Sequence, residues 1–158
     1  MDKRGLISLL VGVFGLVGTF ILIFVVISNQ HEKDQEYSKM HQYYLQQDAL
    51  LAMQQGDNYL LQGNYEGAIN QYNIALALDT SNDKIRLQVA KAHKKQCIEV
   101  GEGCEDALLI FNLLIENYSY DIEMIQERLE LHQHLGDSAG VKEDRKLLKE
   151  IDYNLQFR

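Results

Sequence analysis

Cys97 and Cys104 are the only cysteines in the chain, and they enclose the segment C-I-E-V-G-E-G-C. Across the turn of a helix hairpin, the end of one helix and the start of the next bring two Cα atoms within the roughly 7 Å that a disulfide requires. We expect a disulfide if the domain lies outside the cytoplasm and two free thiols if it lies in the cytosol. A zinc site is not expected, because the spacing is too wide and no third ligand lies nearby.

The other residues that could carry chemistry do not form an active site. The chain has five histidines, but His132 and His134 project from opposite sides of a helix and cannot chelate one ion together. No nucleophile has a base and an orienting group in a recognisable pattern, and no glycine-rich phosphate loop is present. The sequence therefore predicts a protein that is not an enzyme, with no metal and no cofactor.

The charge of the chain excludes one class of partner. The formal net charge is −8, and residues 29–158 carry 13 Lys and Arg against 22 Asp and Glu. Phosphate backbones are bound by basic stripes, which a strongly acidic domain opposes. We therefore expect no nucleic-acid partner.

Residues 6–27 form an uncharged apolar run of 22 residues, preceded by Lys3 and Arg4. As a helix the run would span about 33 Å, enough for a hydrocarbon core of about 30 Å. We interpret it as an uncleaved transmembrane helix within an anchor at residues 1–28. A cleaved signal peptide would have a shorter apolar region and a small-residue cleavage site. The placement of Lys and Arg favours an N-terminus inside and the rest of the chain outside.

Small side chains recur every three or four residues in the first part of this run. They would form one stripe on a helix: Gly5, Ser8, Gly12, Gly15 and Thr19. A small face lets helix backbones approach closely in lipid, so the stripe predicts docking against another membrane helix. Gly is also common in transmembrane helices in general, and that alternative stays open.

Helix is favoured over the remaining chain. Proline is absent, and residues 29–48 are polar and contain no Gly. We expect one long helix, or two nearly collinear ones, that carries the anchor through a polar stalk at residues 29–48 into a helical domain at residues 49–158.

The segment at residues 56–79 has the pattern of a helix hairpin, with Gly63-Asn64 as its turn. Small residues stand where two helices would touch, and larger ones fill the space around them: Gly56, Ala68 and Ala75, then Tyr59, Tyr65, Tyr72 and Leu76. At these residues the chain resembles the tetratricopeptide repeat, whose signature includes the small residue, the Tyr, the G-x-Y turn and an A-x-x-x-[FY]-x-x-A second helix. It departs from the family at Gln55 and at Thr80, where Leu and Pro are usual.

Two further hairpins are expected, because a single repeat cannot bury both of its faces. Residues in the second match Ala68, Tyr72 and Ala75 of the first: Ala107, Phe111 and Leu114. About five extra residues fall within residues 96–105, the turn that contains the cysteines. The third is weaker, with these residues on its two helices: Ile125, Leu129 and His132, then Val141, Arg145 and Leu148. The resemblance implies an all-α fold, a right-handed α-solenoid of about three helix hairpins.

The resemblance also implies a binding groove, because the first helices of tetratricopeptide repeats line a concave surface that holds a peptide or a partner helix. The matching residues change from apolar to basic to acidic: Leu50, Met53, Asp57, Leu60, Lys84, Leu87, Lys91, Lys94, Lys95, Glu123, Glu127 and Glu130. Lys91 and Lys94 could instead pair with Glu127 and Glu130 and leave no site. The carboxylate clamp of chaperone-binding members is not matched, because its places hold these residues: Met53, Asp57, Gln88, Glu123 and Glu127.

These features predict a single-pass, membrane-anchored scaffold for protein–protein interaction. We expect its C-terminal domain in the periplasm of a bacterial inner membrane, as one subunit of an envelope assembly such as a secretion machine. The alternative is a cytosol-facing anchored adaptor or receptor with reduced cysteines. The expected partners are the membrane and other proteins, and no small-molecule substrate is evident.

Overall fold

The computed structural model describes the backbone of residues 3–118 and 121–156, and the side chains of residues 24, 26–118 and 121–154. Over these residues the chain forms six helices and no strand, so the all-helical prediction is confirmed. The helices are α1 (Lys3–Leu61), α2 (Tyr65–Leu78), α3 (Asp83–Val100), α4 (Cys104–Asn117), α5 (Ile122–Leu135) and α6 (Ser138–Gln156).

The chain divides into two compact units, Met1–Tyr44 and Leu45–Arg158. Every described side chain of the first unit is exposed. No helix in the described part of the chain is both long and apolar enough to cross a bilayer. Within the predicted span at residues 6–27, the described side chains are those of Phe24, Val26 and Ile27, and the side chains of the predicted small-residue stripe lie outside the described ones.

In the second unit, side-chain caps fix the starts of α2, α3 and α5. Asn64 accepts a hydrogen bond from the Gly67 N–H, and Asn82 accepts from the N–H groups of the first turn of α3. Asp121 does the same for Met124 at the start of α5. Caps of this kind satisfy backbone donors that have no partner within the helix.

Each helix of this unit packs on its neighbours in chain order: α2 on α3, α3 on α4, α4 on α5 and α5 on α6, with a further contact between α3 and α5. Three clusters of buried apolar residues run through it, and the largest joins α3, α4, α5 and α6. Contacts between successive hairpins are characteristic of an α-solenoid. The fold therefore agrees with stacked helix hairpins.

Tyr72 is the centre of the first hairpin. Its side chain is fully buried, and it packs in one cluster with Ala68 of its own helix and Val89 of α3. Gly56 of α1 faces the same ring so closely that an added Cβ would lie 2.6 Å from Tyr72 Cε1. The Tyr72 hydroxyl donates to Asp57 Oδ1 at 2.6 Å, and burial together with this hydrogen bond raises the pKa of Tyr72. The predicted small-against-large matching is confirmed at this pair.

A buried ion pair holds the last hairpin. Asp144 of α6 is completely buried and Arg128 of α5 is 7% exposed. Arg128 Nε donates to Asp144 Oδ1 at 3.1 Å, and Arg128 Nη1 donates to Asn112 Oδ1 of α4 at 2.6 Å. One guanidinium therefore connects three helices. Burying a charge is costly unless it is paired and hydrogen-bonded, and here both conditions are met.

The α6 stripe predicted from Val141, Arg145 and Leu148 needs correction. Val141 and Leu148 are only half-buried and Arg145 is exposed, whereas Gly140 and Asp144 are buried. The side of α6 that faces α5 is covered, and no helix of the described chain covers the opposite side. Spacing alone could not distinguish these two sides, because Gly140 and Asp144 precede Val141 and Arg145 by one residue each and have the same spacing.

We expect Gly56→Ala to lower the free energy of unfolding by about 1–2 kcal/mol. Overpacking against the Tyr72 ring costs about 1–3 kcal/mol, and this outweighs the roughly 1 kcal/mol that Ala gains over Gly within a helix. Urea unfolding of the full-length chain, followed by circular dichroism, measures the change. Gln55→Ala, at the exposed neighbouring position, is the control. A Gly56→Ala variant as stable as the wild type would contradict the close approach.

Candidate partner-binding surface

The predicted groove residues lie on α1, α3 and α5, the first helices of the three hairpins. Within the second unit α3 and α5 are in contact, and Ile85 of α3 packs with Ala49 and Ala52 of α1. The three helices therefore lie side by side, as the resemblance implies. The character of the surface changes from one helix to the next.

An ion-pair network crosses from α3 to α5. Lys91 Nζ lies 2.5 Å from a carboxylate oxygen of Glu123 and 3.3 Å from one of Glu127. Lys94 Nζ pairs with Glu127 and, at 2.7 Å, with Glu130. The Lys94 side chain is only 9% exposed. The alternative pairing considered from the sequence is therefore present, and it occupies the centre of the predicted groove.

Two opposing effects set the protonation of Lys91. Burial lowers the pKa of Lys91, but the Glu123 and Glu127 carboxylates more than compensate, so that this pKa is raised. The network thus keeps Lys91 charged. Three carboxylates share two ammonium groups here, so the centre of this surface carries an excess of negative charge.

Outside the network, the predicted residues differ in their exposure. Leu50, Asp57, Lys84 and Lys95 are exposed, and Met53 and Leu60 are half-buried. Leu50 is 49% exposed at the α1 side of the surface. The prediction that Leu87 lines the groove needs correction, because this side chain is 7% exposed and belongs to the cluster that joins α3 to α6. It is a packing residue and has little surface to offer a partner.

The turn between α3 and α4 is closed by a bond between Cys97 and Cys104, whose Cα atoms are 4.8 Å apart. His93 lies beside this turn, where an added Cβ on Gly103 would come within 2.9 Å of its Nδ1. That nitrogen is buried without a hydrogen-bond partner, and burial lowers the pKa of His93. His93 is therefore a packing group.

His132 has the same role in the last hairpin. Its ring fills the space left by Gly140, where an added Cβ would lie 2.4 Å away. Its Nδ1 lies 2.8 Å from Asp137 Oδ2, but without the alignment of a hydrogen bond. Among the side chains that the structure describes, no three His, Cys, Asp or Glu are grouped closely enough to hold a metal ion.

Sequence reasoning missed a basic cleft between α5 and α6. The cleft has a volume of about 760 Å³ and is lined by these residues: His132, Gln133, Gly136, Ser138, Val141, Lys142, Arg145, Lys146 and Lys149. The four basic residues are spaced as i, i+3, i+4 and i+7, which places them on one helix face. This spacing of basic residues is visible in the sequence, but a helix face that is merely exposed to solvent can show the same spacing.

We expect Glu127→Gln to lower the free energy of unfolding by about 1–3 kcal/mol, because the change weakens hydrogen bonds between charged groups at Lys91 and at the buried Lys94. Glu123→Gln is the matched control: its side chain is 60% exposed, and exposed pairs contribute about 0–1 kcal/mol. Urea unfolding of both full-length variants measures the difference. Equal losses of stability in the two variants would show that the buried part of the network does not stabilise the fold.

Comparison with known proteins identifies the first hairpin. No curated protein matches the chain. Residues 56–96 match the family model for the TPR repeat, that is, the tetratricopeptide repeat. The matched segment contains the Gly56–Tyr72 contact and most of α3. The resemblance inferred from these residues is thereby confirmed, and this segment of the chain is a tetratricopeptide repeat.

Proposed function

We propose that this chain is a membrane-anchored scaffold that binds other proteins through its repeat domain, as one subunit of an envelope assembly such as a secretion machine. The observation that carries the proposal is the tetratricopeptide repeat at residues 56–96, since this repeat is a module for protein–protein interaction. We place the repeat domain on the periplasmic side of a bacterial-type inner membrane.

The α1 side of the groove is the part that we assign to the partner. The centre is occupied by the ion pairs of Lys91 and Lys94. At the α1 side, Leu50 is half-exposed and Lys84 at the start of α3 is exposed. Ile85, the residue after Lys84, packs with Ala49, the residue before Leu50. An exposed Leu on α1 and an exposed cation on α3 suit a partner helix or peptide with an apolar and an acidic residue.

The anchor is proposed from the sequence itself. From Gly5 to Ser28 the chain carries no charged residue, and Lys3 and Arg4 precede this stretch. A helix of this length and composition partitions into a bilayer, with its basic flank on the cytoplasmic side. The small-residue stripe would then face another membrane helix.

The location outside the cytoplasm is supported by the bonded Cys97 and Cys104. Cytosolic thiols are kept reduced by glutathione and thioredoxin, whereas disulfides persist in the periplasm. On the chain-entropy model, closing so short a loop stabilises the fold by about 2.5 kcal/mol. A protein that relies on this link would be placed where it can form.

Thiol labelling in intact cells tests the topology. We expect a membrane-impermeant maleimide to label the chain only after an impermeant reductant has opened the disulfide. A variant with Asp2→Cys in a Cys97→Ser and Cys104→Ser background is the control, and it should be labelled only after lysis. Labelling of Asp2→Cys in intact cells, or of the native cysteines only after lysis, would favour the cytosol-facing adaptor.

Co-purification in mild detergent tests the binding surface. We expect Leu50→Glu to reduce recovery of the partner at least about tenfold, because a charge would replace a buried apolar anchor at the interface. Leu109→Glu is the matched control, since Leu109 is 60% exposed on α4, away from the groove. A partner that is lost with Leu109→Glu and retained with Leu50→Glu would place the interface elsewhere.

A further inference from the structure

The third hairpin repeats the turn of the first. Gly63 and Gly136 have φ of 71° and 69°, so both turns pass through the left-handed region. In both turns the next residue, Asn64 or Asp137, donates its N–H at 2.9 Å to the carbonyl five residues before it. The side chains of Asn64 and Asp137 also accept from the N–H three residues later, at 2.9 and 3.1 Å. Residues of the third hairpin therefore correspond to those 73 positions earlier.

In the first hairpin, α3 packs against both helices, α1 and α2. Ala68 and Tyr72 of α2 form one buried cluster with Val89 and Ala92 of α3, and Ile69 packs against it. The side of a hairpin that faces the next repeat is thus a seat for a helix in this chain. The second hairpin uses the same seat, because α4 packs against α5.

The corresponding seat on the third hairpin is the α5–α6 cleft. Val141 stands in the place of Ala68, Lys142 in that of Ile69, Arg145 in that of Tyr72, and Lys149 in that of Leu76. In the described part of the chain no helix follows α6 to fill this cleft. The site has the geometry of a helix seat, but three of these four positions hold basic residues in place of Ile69, Tyr72 and Leu76.

The charges in this cleft have one sign. Its lining includes Lys142, Arg145, Lys146 and Lys149 and no carboxylate. Lys146 Nζ lies 3.6 Å from Glu150 of the same helix. Among the residues that the structure describes, no carboxylate lies within 4 Å of the other three cations. An outer face that served only solubility would gain from mixed charges, particularly in a chain whose net charge is −8.

We infer that the α5–α6 cleft binds an acidic helix of a partner protein, seated as α3 is seated on the first hairpin. The spacing of the four cations over two turns matches carboxylates at i, i+3, i+4 and i+7 on the bound helix. The concave form suits a helix better than it suits the flat surface of a bilayer. This surface is separate from the α1 side of the groove, so the inference stands or falls independently of the proposed function.

A synthetic helix provides the probe. We would use a labelled peptide of about 20 residues, long enough to form a helix, with four glutamates on one face beside a stripe of alanines. The comparison peptide has the same composition, but its glutamates are spread around the helix. Fluorescence anisotropy with the full-length chain in detergent should give a Kd at least about tenfold lower for the one-faced peptide.

Charge reversal locates the binding. We expect Arg145→Glu with Lys149→Glu to raise the Kd of the one-faced peptide at least about tenfold. Both side chains are exposed, so folding should be retained, and circular dichroism checks this. Lys84→Glu with Lys95→Glu makes the same change of charge on exposed residues of α3, and it should alter the Kd by less than about twofold.

Three results would overturn the inference. One is equal affinity for the two peptides, or no binding of either, because the cleft would then not select a one-faced helix. Another is an equal loss of affinity in the Lys84→Glu, Lys95→Glu control. The third is displacement of the peptide by short-chain phosphatidylglycerol that itself binds in an Arg145-dependent manner, which would assign the cleft to lipid headgroups.

Discussion

The repeat domain depends on the close approach of Gly56 to the ring of Tyr72. Because Gly56 has no Cβ, the α1 backbone comes within contact of a fully buried aromatic side chain. Tyr72 in turn reaches α3 through Val89 and Ala92. One ring therefore sets the distances among three helices, and the position of α3 follows from it. The groove and every later hairpin are built on that position.

Helix α3 is the shared element of the second unit. It packs on α2, α4 and α5, and polar contacts hold both of its ends. Tyr118 donates to Asp83 at its start and Tyr65 donates to Glu99 near its end, each at 2.5 Å. In the middle, Lys91 and Lys94 connect it to α5. A helix fixed in so many directions presents a rigid surface, which favours the binding of a partner at low entropic cost.

Local patterns in the sequence were enough to predict the helix pairs and the turn at Gly63, because spacing along one helix decides them. The ion pairs of Lys91 and Lys94 were only one of two alternatives, since pairing depends on how the surface of α3 meets that of α5. Leu87 and Asp144 could not be predicted correctly for the same reason: the neighbour that buries them lies far away in sequence. The basic cleft was missed because its meaning depends on which side of α6 is left uncovered.

The disulfide between Cys97 and Cys104 affects what proteolysis does to the chain. The residues between them include Ile98 and Val100, which are 41% and 57% exposed, and the glycine that ends α3. Exposed turns of this kind are where endopeptidases cut. A chain nicked here would remain one covalent molecule, with α3 and α4 still tethered at the break. Where proteases are present, this exposed turn could be cleaved without the release of either half.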